Sequence, residues 1–401
     1  MRYRHLKGGR RSRPVVGSEP PRLRLSAFYA LYFGVLGLLV PYWPLFLQSK
    51  GYGASAIGAF MAILPATKIV SPTFWGWLSD RSGLPLRYIR WTSFLSMVSM
   101  GFLIPEFSDP LWMAMAMIAF GLFWNGPQPL FETVTLAYLK GRQGYGRIRL
   151  WGSLGFVASV ASGGALLGDS FPIDRLPELL LILLAGQWLI TMLIPHVLSH
   201  TDLGQKDSIV AVLKRPQVAG FLMAALLIQL SHGPYYSFYT VFLNSHGFDD
   251  ATIGQLWALG VLAEIVLFMW MDRLERHFKL RTLFLVGILC GVVRWVMIGW
   301  GVEHPFLIIL GQVLHAGTFG LMHVASIALV HHHFKGGHHA KGQAIYSGYC
   351  YGVGGAVGSL YAGYLWQTLP AVWVFSSASL ISALAICFAW PLVRERRATI
   401  G

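Results

Sequence analysis

Long apolar runs separated by short polar interruptions set the pattern of this chain. A hydrocarbon layer about 30 Å thick needs roughly 20 apolar residues of helix to cross it. Twelve stretches meet that need, near residues 26–47, 54–78, 88–106, 110–138, 148–168, 177–197, 217–244, 251–271, 282–301, 305–331, 342–367 and 371–393. The longest internal connection, 198–216, divides them into six and six. The pattern predicts an all-α membrane protein: a disordered basic arm over 1–25, a first six-helix bundle over 26–197, a linker over 198–216, a second six-helix bundle over 217–393 and a tail over 394–401.

The two halves repeat. "FLQSKGYGASAIG" (46–58) returns as "FLNSHGFDDATIG" (242–254), and the same spacing carries Gly146 and Gly152 onto Gly342 and Gly348. Two bundles related in parallel sense suit transporters whose halves rock about a site near the membrane midplane.

Composition agrees with a lipid surround. The chain is 55% hydrophobic and 12% charged, whereas a soluble domain carries about 25% charged residues. The net charge of +14 would point to nucleic acid in a soluble protein. Its distribution removes that reading. All Lys and Arg but four lie in the arm, in the 2–3, 4–5, 6–7, 8–9 and 10–11 connections and in the tail; Lys50 and Arg175 lie on the opposite side, and Lys68 and Arg294 inside spans. Positive loops stay in the cytoplasm, so both termini are expected there, and the partner is the bilayer. The basic arm reads as an orientation signal rather than a lipid-binding element. The first apolar run has no small-residue cleavage pattern and is expected to remain as a span. Cys290, Cys350 and Cys387 sit in apolar runs and offer neither a disulfide framework nor a metal site. "HHHFKGGHH" (331–339) reads as a polar loop that partly substitutes for Lys and Arg. No metal and no cofactor is expected, and the chain is expected to act as a monomer.

Four charges fall inside spans: Lys68, Glu132, Glu264 and Arg294. Each costs about 2.5–3.5 kcal/mol at a helix centre. Two of each sign allow mutual pairing, and Lys68 and Glu264 occupy equivalent places in the repeat. Static interhelical pairs are the plain alternative, yet apolar packing often stabilises as well as a buried pair. The neighbours point to function. "LHAGTFGLMHVAS" (314–326) carries His315 and His323, and histidine exchanges protons near neutrality. Gln229, His232, Tyr236 and Tyr239 share one helix face, as do Asn125, Gln128 and Glu132. These stripes are expected to line a cavity between the halves. A membrane-embedded enzyme is disfavoured, because no nucleophile motif or metal spacing accompanies the acids and histidines.

Several segments resemble known families. "GWLSDRSGLPLR" (76–87) resembles the cytoplasmic signature of the major facilitator superfamily, with a worn copy in "MWMDRLE" (269–275). On that likeness Gly76 admits a close helix neighbour, and Asp80 with Arg81 latches against a helix N-terminus of the other half. Asp272 and Arg273 would do the same in the second half. "NGPQPLFE" (125–132) and "YGRIRLWGSLGF" (145–156) resemble the oligosaccharide–proton symporters. That resemblance implies Glu132 and Arg149 as a substrate-binding pair and Glu264, Arg294 and His315 as coupling residues. Thr318 and Phe156 depart from that family's pattern, and helix 7 lacks its aspartates. "QLSHGPYYSFY" (229–239), "WALGVLAEIVLF" (257–268) and "HAGTFGLMH" (315–323) are closer to transporters similar to the 3-phenylpropionic acid permease.

The resemblance implies a proton symporter of a bacterial inner membrane. Glu264 is expected to carry the proton and, once protonated, to release Arg294 toward a substrate carboxylate. Asn125, Gln128, Glu132, Arg149, His232, Tyr236, Tyr239, His323 and Lys68 are expected to contact substrate. A small aromatic acid is the expected solute, and an oligosaccharide or nucleoside the alternative.

Overall fold

Proline opens many of the helices, as its fixed φ and missing N–H favour in a first turn. The computed structural model describes residues 20–104, 109–140, 143–167, 171–195, 209–335 and 338–394. Before the linker come α1 (Arg22–Ser49), α2 (Ala54–Lys68), α3 (Ser71–Ser82), α4 (Pro85–Gly101), α5 (Pro110–Trp124), α6 (Pro127–Leu139), α7 (Tyr145–Leu166) and α8 (Leu176–Leu193). After it come α9 (Val210–Leu213), α10 (Pro216–Ser231), α11 (Gly233–Ser245), α12 (Asp250–His277), α13 (Leu280–Trp300), α14 (Pro305–Val313), α15 (Met322–His333), α16 (His339–Ile345), α17 (Gly355–Thr368) and α18 (Ala371–Arg394). Wide π-helical segments, Ala316–Leu321 and Tyr346–Gly354, join α14 to α15 and α16 to α17. Asp249 caps α12 by accepting from the Thr252 N–H at 2.8 Å, a bond that holds its carboxyl below the usual carboxylate range.

Among the described residues, eight helical runs are long and apolar enough to cross a membrane: 22–49, 54–82, 173–193, 216–245, 250–277, 280–300, 305–333 and 371–390. The segments 85–101, 110–139, 145–166 and 339–368 are helical as well, but shorter, interrupted or more polar. Most of the expected arm, linker and tail (1–19, 196–208 and 395–401) lies outside the described residues.

The apolar pattern predicts unbroken spans, and the structure breaks several of them. α2 yields to α3 at Ile69–Val70, before Pro72; α5 to α6 at Asn125–Gly126, before Pro127; α10 to α11 at His232, before Pro234. In each case the proline removes a donor and its ring clashes with the carbonyl four residues back. All three breaks fall beside a polar or charged residue that the sequence singles out.

Two groups of helices result. In the first, α1 packs on α7 and α8, and α4 on α5, α6 and α8; in the second, α18 packs on α10 and α13, while α12 packs on α14 and the 316–321 segment. Between the groups, α2 lies along α17, α7 along α12, and α1 against α11. Glycine permits this closeness. A Cβ on Gly58 would lie 2.6 Å from both the Gly363 Cα and the Ser359 carbonyl. These contacts run from the end remote from the termini to mid-depth, where Ile69 meets Gly352. At the Lys- and Arg-rich end, α3 finds its principal contacts within the first group.

Candidate functional site

The second group holds the most buried ionisable cluster. Glu264 sits in the middle of α12, where the His315 Nε2 approaches its carboxylate to 2.7 Å. Both side chains are buried, and the contact brings the groups together without the alignment of a hydrogen bond. Gly260, one turn earlier, makes room: a Cβ there would lie 3.1 Å from the Gln312 Oε1 and 3.2 Å from the His315 ring. Tyr235 donates to the same Gln312 oxygen at 3.0 Å.

Arg294 is fully buried on α13. Its Nε donates to the Gly311 carbonyl at 3.0 Å and its Nη1 to the Thr318 hydroxyl at 2.9 Å. The guanidinium also lies 4.2 Å from the ring centre of Tyr235 and 4.6 Å from that of Trp295. The expected Glu264–Arg294 ion pair is therefore not formed. His315 takes the carboxylate, while a backbone oxygen, a hydroxyl and two ring faces take the guanidinium. The π-helical widening that begins at Ala316 accompanies this exchange of partners.

The stripe that begins at Gln229 on α10 divides. His232 lies at the α10–α11 break, with its Nδ1 2.7 Å from the Ile228 carbonyl and its ring edge-on to Trp295. Tyr236 stacks on His232, whereas Tyr239 is buried against Tyr235 and Trp257. Tyr239 thus belongs to the packed core rather than to a cavity wall.

In the first group, Glu132 accepts from the Tyr145 hydroxyl at 2.9 Å. Arg149 lies flat on an aromatic face, 3.9 Å from the Phe33 ring centre and 5.6 Å from that of Tyr29. Among the described residues the expected Glu132–Arg149 ion pair is not made; aromatic side chains stand at both. Asn125 donates to the Leu64 carbonyl and the Thr67 hydroxyl, each at 3.0 Å, so it braces the α5–α6 break against α2. Gln128 is half-buried in the first turn of α6. Lys68 ends α2 with its ammonium 5.4 Å from the ring centre of Tyr351. The Tyr351 hydroxyl in turn is 3.0 Å from the His323 Nδ1.

The latch residues lie on α3 and at the C-terminal end of α12. A Cβ on Gly76 would meet nothing within 4 Å, so the expected close approach is absent. Asp80 is exposed and lines a cleft with Ser79, Pro85, Leu130 and Thr133, all of the first group. Arg81 lies 5.7 Å over Trp77. Asp272 is exposed, and Arg273 lies 4.5 Å over Trp270. The motif's final glycine, Gly83, has a structural reason: it ends α3 at φ +68°, a left-handed conformation.

Sequence reasoning missed Tyr235, Gln312, Tyr145 and Tyr351. Gln312 was findable, lying three residues before His315 and so on its helix face. Tyr145 and Tyr235 lie within segments that carry the resemblance, but nothing along the chain gives their partners, and nothing marks Tyr351. The histidine-rich turn borders a cavity of about 360 Å³ lined by Val212, Arg215, Gln217, His332, Lys335 and His338. Among the described residues no group of His, Cys, Asp and Glu is placed to hold a metal ion.

Comparison with known proteins agrees with this fold. The family described as MFS_1 like family matches residues 22–377. The probable 3-phenylpropionic acid transporter of Escherichia coli (strain K12) is 28% identical over 366 residues, covering 89% of this chain and 94% of the relative. The maltose permease of Geobacillus stearothermophilus is 23% identical over 394 residues, covering 96% and 98%. The crystal structure of a mutant of the nucleoside transporter NupG superposes with a TM-score of 0.81 at 15% identity, covering 93% of this chain and 98% of that one.

Proposed function

The chain belongs to the MFS_1 like family of the major facilitator superfamily, and from that premise we propose that this transporter moves a small aromatic carboxylate together with protons. It is a membrane transporter rather than an enzyme. Twelve crossings, six in each group, carry it through a bacterial inner membrane as a monomer, with both termini on the cytoplasmic side. The four helical segments that add to the eight long apolar runs support that count, and the Lys- and Arg-rich connections support the orientation.

One observation carries the proton part: the buried approach of His315 to Glu264 at 2.7 Å. A carboxylate and an imidazole held together away from water can keep one proton between them and exchange it through small movements. Arg294, fixed by Gly311 and Thr318, supplies a constant positive charge beside a pair whose own charge changes with each proton. The contact of the groups from Gly58 to Ile69 and the open space at Gly76 support alternating access, with this arrangement open inward. Aromatic faces around Lys68, Arg149 and His323 support an aryl solute, as does the name of the Escherichia coli relative.

Proteoliposomes with an imposed inward proton gradient test the reading. Wild type is expected to accumulate 3-phenylpropionate. Glu264→Gln is expected to keep counterflow but lose accumulation. Uphill accumulation by Glu264→Gln would remove Glu264 from the proton path. A neutral nucleoside is the second reading, favoured by a Glu132 carboxylate that already accepts from a hydroxyl. Uridine counterflow without any carboxylate transport would favour it.

A further inference from the structure

Lys68 stands at the midpoint of the 54–82 helical run, about 21 Å of helix rise from Ala54. The other charges inside the bundle have partners. Glu264 meets His315, Glu132 meets Tyr145, Arg294 meets Gly311 and Thr318, and Arg149 lies flat on Phe33. Lys68 has neither an ion-pair nor a hydrogen-bond partner among the described residues; its ammonium faces the Tyr351 ring at 5.4 Å. The nearby oxygens of Leu64 and Thr67 already receive the amide of Asn125. A cation at this depth costs about 2.5–3.5 kcal/mol, and a ring face returns about 0.5–2 kcal/mol. The position therefore favours an incoming anion.

Rings from the second group stand opposite. Phe319 and His323 stack with ring centres 6.2 Å apart and planes 7° apart, and Tyr351 meets both rings edge-on. All three are half-buried. Pro65 packed against Gly355 lies on the membrane-exterior side of Lys68, and Ile69 packed against Gly352 lies one residue toward the cytoplasm, where the break passes to α3.

We propose that the carboxylate of the transported acid docks on Lys68, with its aryl ring against the Phe319–His323–Tyr351 wall. This rests on the aromatic-acid reading above. Arg294, expected from the sequence to take the carboxylate, is already held on Gly311 and Thr318. The ligand would touch the first group through its charge and the second through its ring, so binding itself draws the two groups together. The same wall continues to the proton site: Phe319 also stacks on His315 with centres 5.5 Å apart. Residues 315, 319 and 323 lie on successive turns, so the two sites are about 12 Å apart along one helix face. A single ammonium selects monoanions. A dicarboxylate would bring an uncompensated charge, and a neutral analogue would forgo the ion pair.

The test measures binding of labelled 3-phenylpropionate to the purified full chain, with the neutral 3-phenylpropionamide as competitor. Wild type is expected to prefer the acid by about tenfold to a hundredfold, as a hydrogen bond to a charged group commonly provides. Lys68→Gln should bind acid and amide alike, while Lys68→Arg should keep most of the preference. Amide binding by Lys68→Gln marks the variant as folded. Lys68→Met, which keeps the hydrocarbon stem, serves as a second variant under the same criteria. A full preference for the acid in Lys68→Gln or Lys68→Met overturns the docking proposal alone. Wild type that binds neither compound, or that ignores the charge, overturns the aromatic-acid reading and the docking proposal with it.

Discussion

At the scale of the residue, Arg294 shows how a charge is kept inside a bundle without a counter-ion. Its forked donors reach a carbonyl and a hydroxyl, and its flat faces meet Tyr235 and Trp295. Arginine can do this and lysine cannot, because only the guanidinium is both planar and multiply donating. Thr318 therefore holds part of the site's geometry. Thr318→Val removes one acceptor and leaves a buried N–H of Arg294 unpaired, at about 1–3 kcal/mol. The expected result is a lowered unfolding temperature in detergent and a weakened proton-driven accumulation. An unchanged melting curve would show that the hydroxyl is dispensable. The presence of Arg294, Glu264 and His315 inside apolar runs was readable from the chain, because a charge in such a run stands out. Their pairing was not. It depends on which side chain reaches furthest across the gap between α12, α13 and α14.

At the scale of the element, the breaks in the long helices are as informative as the helices. Pro72, Pro127 and Pro234 interrupt spans that hydropathy alone reads as continuous. The interruptions set Lys68, Asn125 and His232 at helix ends instead of mid-helix. Contact between groups depends on small residues elsewhere, most plainly where Gly58 of α2 meets Gly363 of α17. Gly58→Leu would push a branched side chain into that backbone. Overpacking of this kind costs about 1–3 kcal/mol, here in the arrangement in which α2 lies along α17. Counterflow is expected to slow by about tenfold or more, while the protein still purifies as a folded chain. Wild-type counterflow rates in Gly58→Leu would mean that the α2–α17 contact does not persist through the cycle.

At the scale of the whole molecule, the groups meet along α2 and α17, α7 and α12, and α1 and α11. A Cβ on Gly76 would meet nothing within 4 Å, which gives a direct check on both the proposed openness and the proposed orientation. Gly76→Cys in a cysteine-free background is expected to react with a membrane-impermeant maleimide in inside-out vesicles and to stay unlabelled in intact cells. Labelling only from the cell exterior would reverse the topology. Much of this architecture is written along the chain. Apolar run length selects helices that cross a bilayer, the sorting of Lys and Arg gives the orientation proposed for them, and 46–58 returns as 242–254. Each of these signals is local, or depends only on counting residues, so no folding is needed to see it. What the tertiary structure alone decided is who partners whom. Glu264 went to His315, Arg294 to Gly311 and Thr318, and Tyr239 into the core. Such choices turn on distances between helices far apart in the chain, which are set by how glycines, rings and helix breaks pack together, and no pattern along one strand of residues encodes those distances.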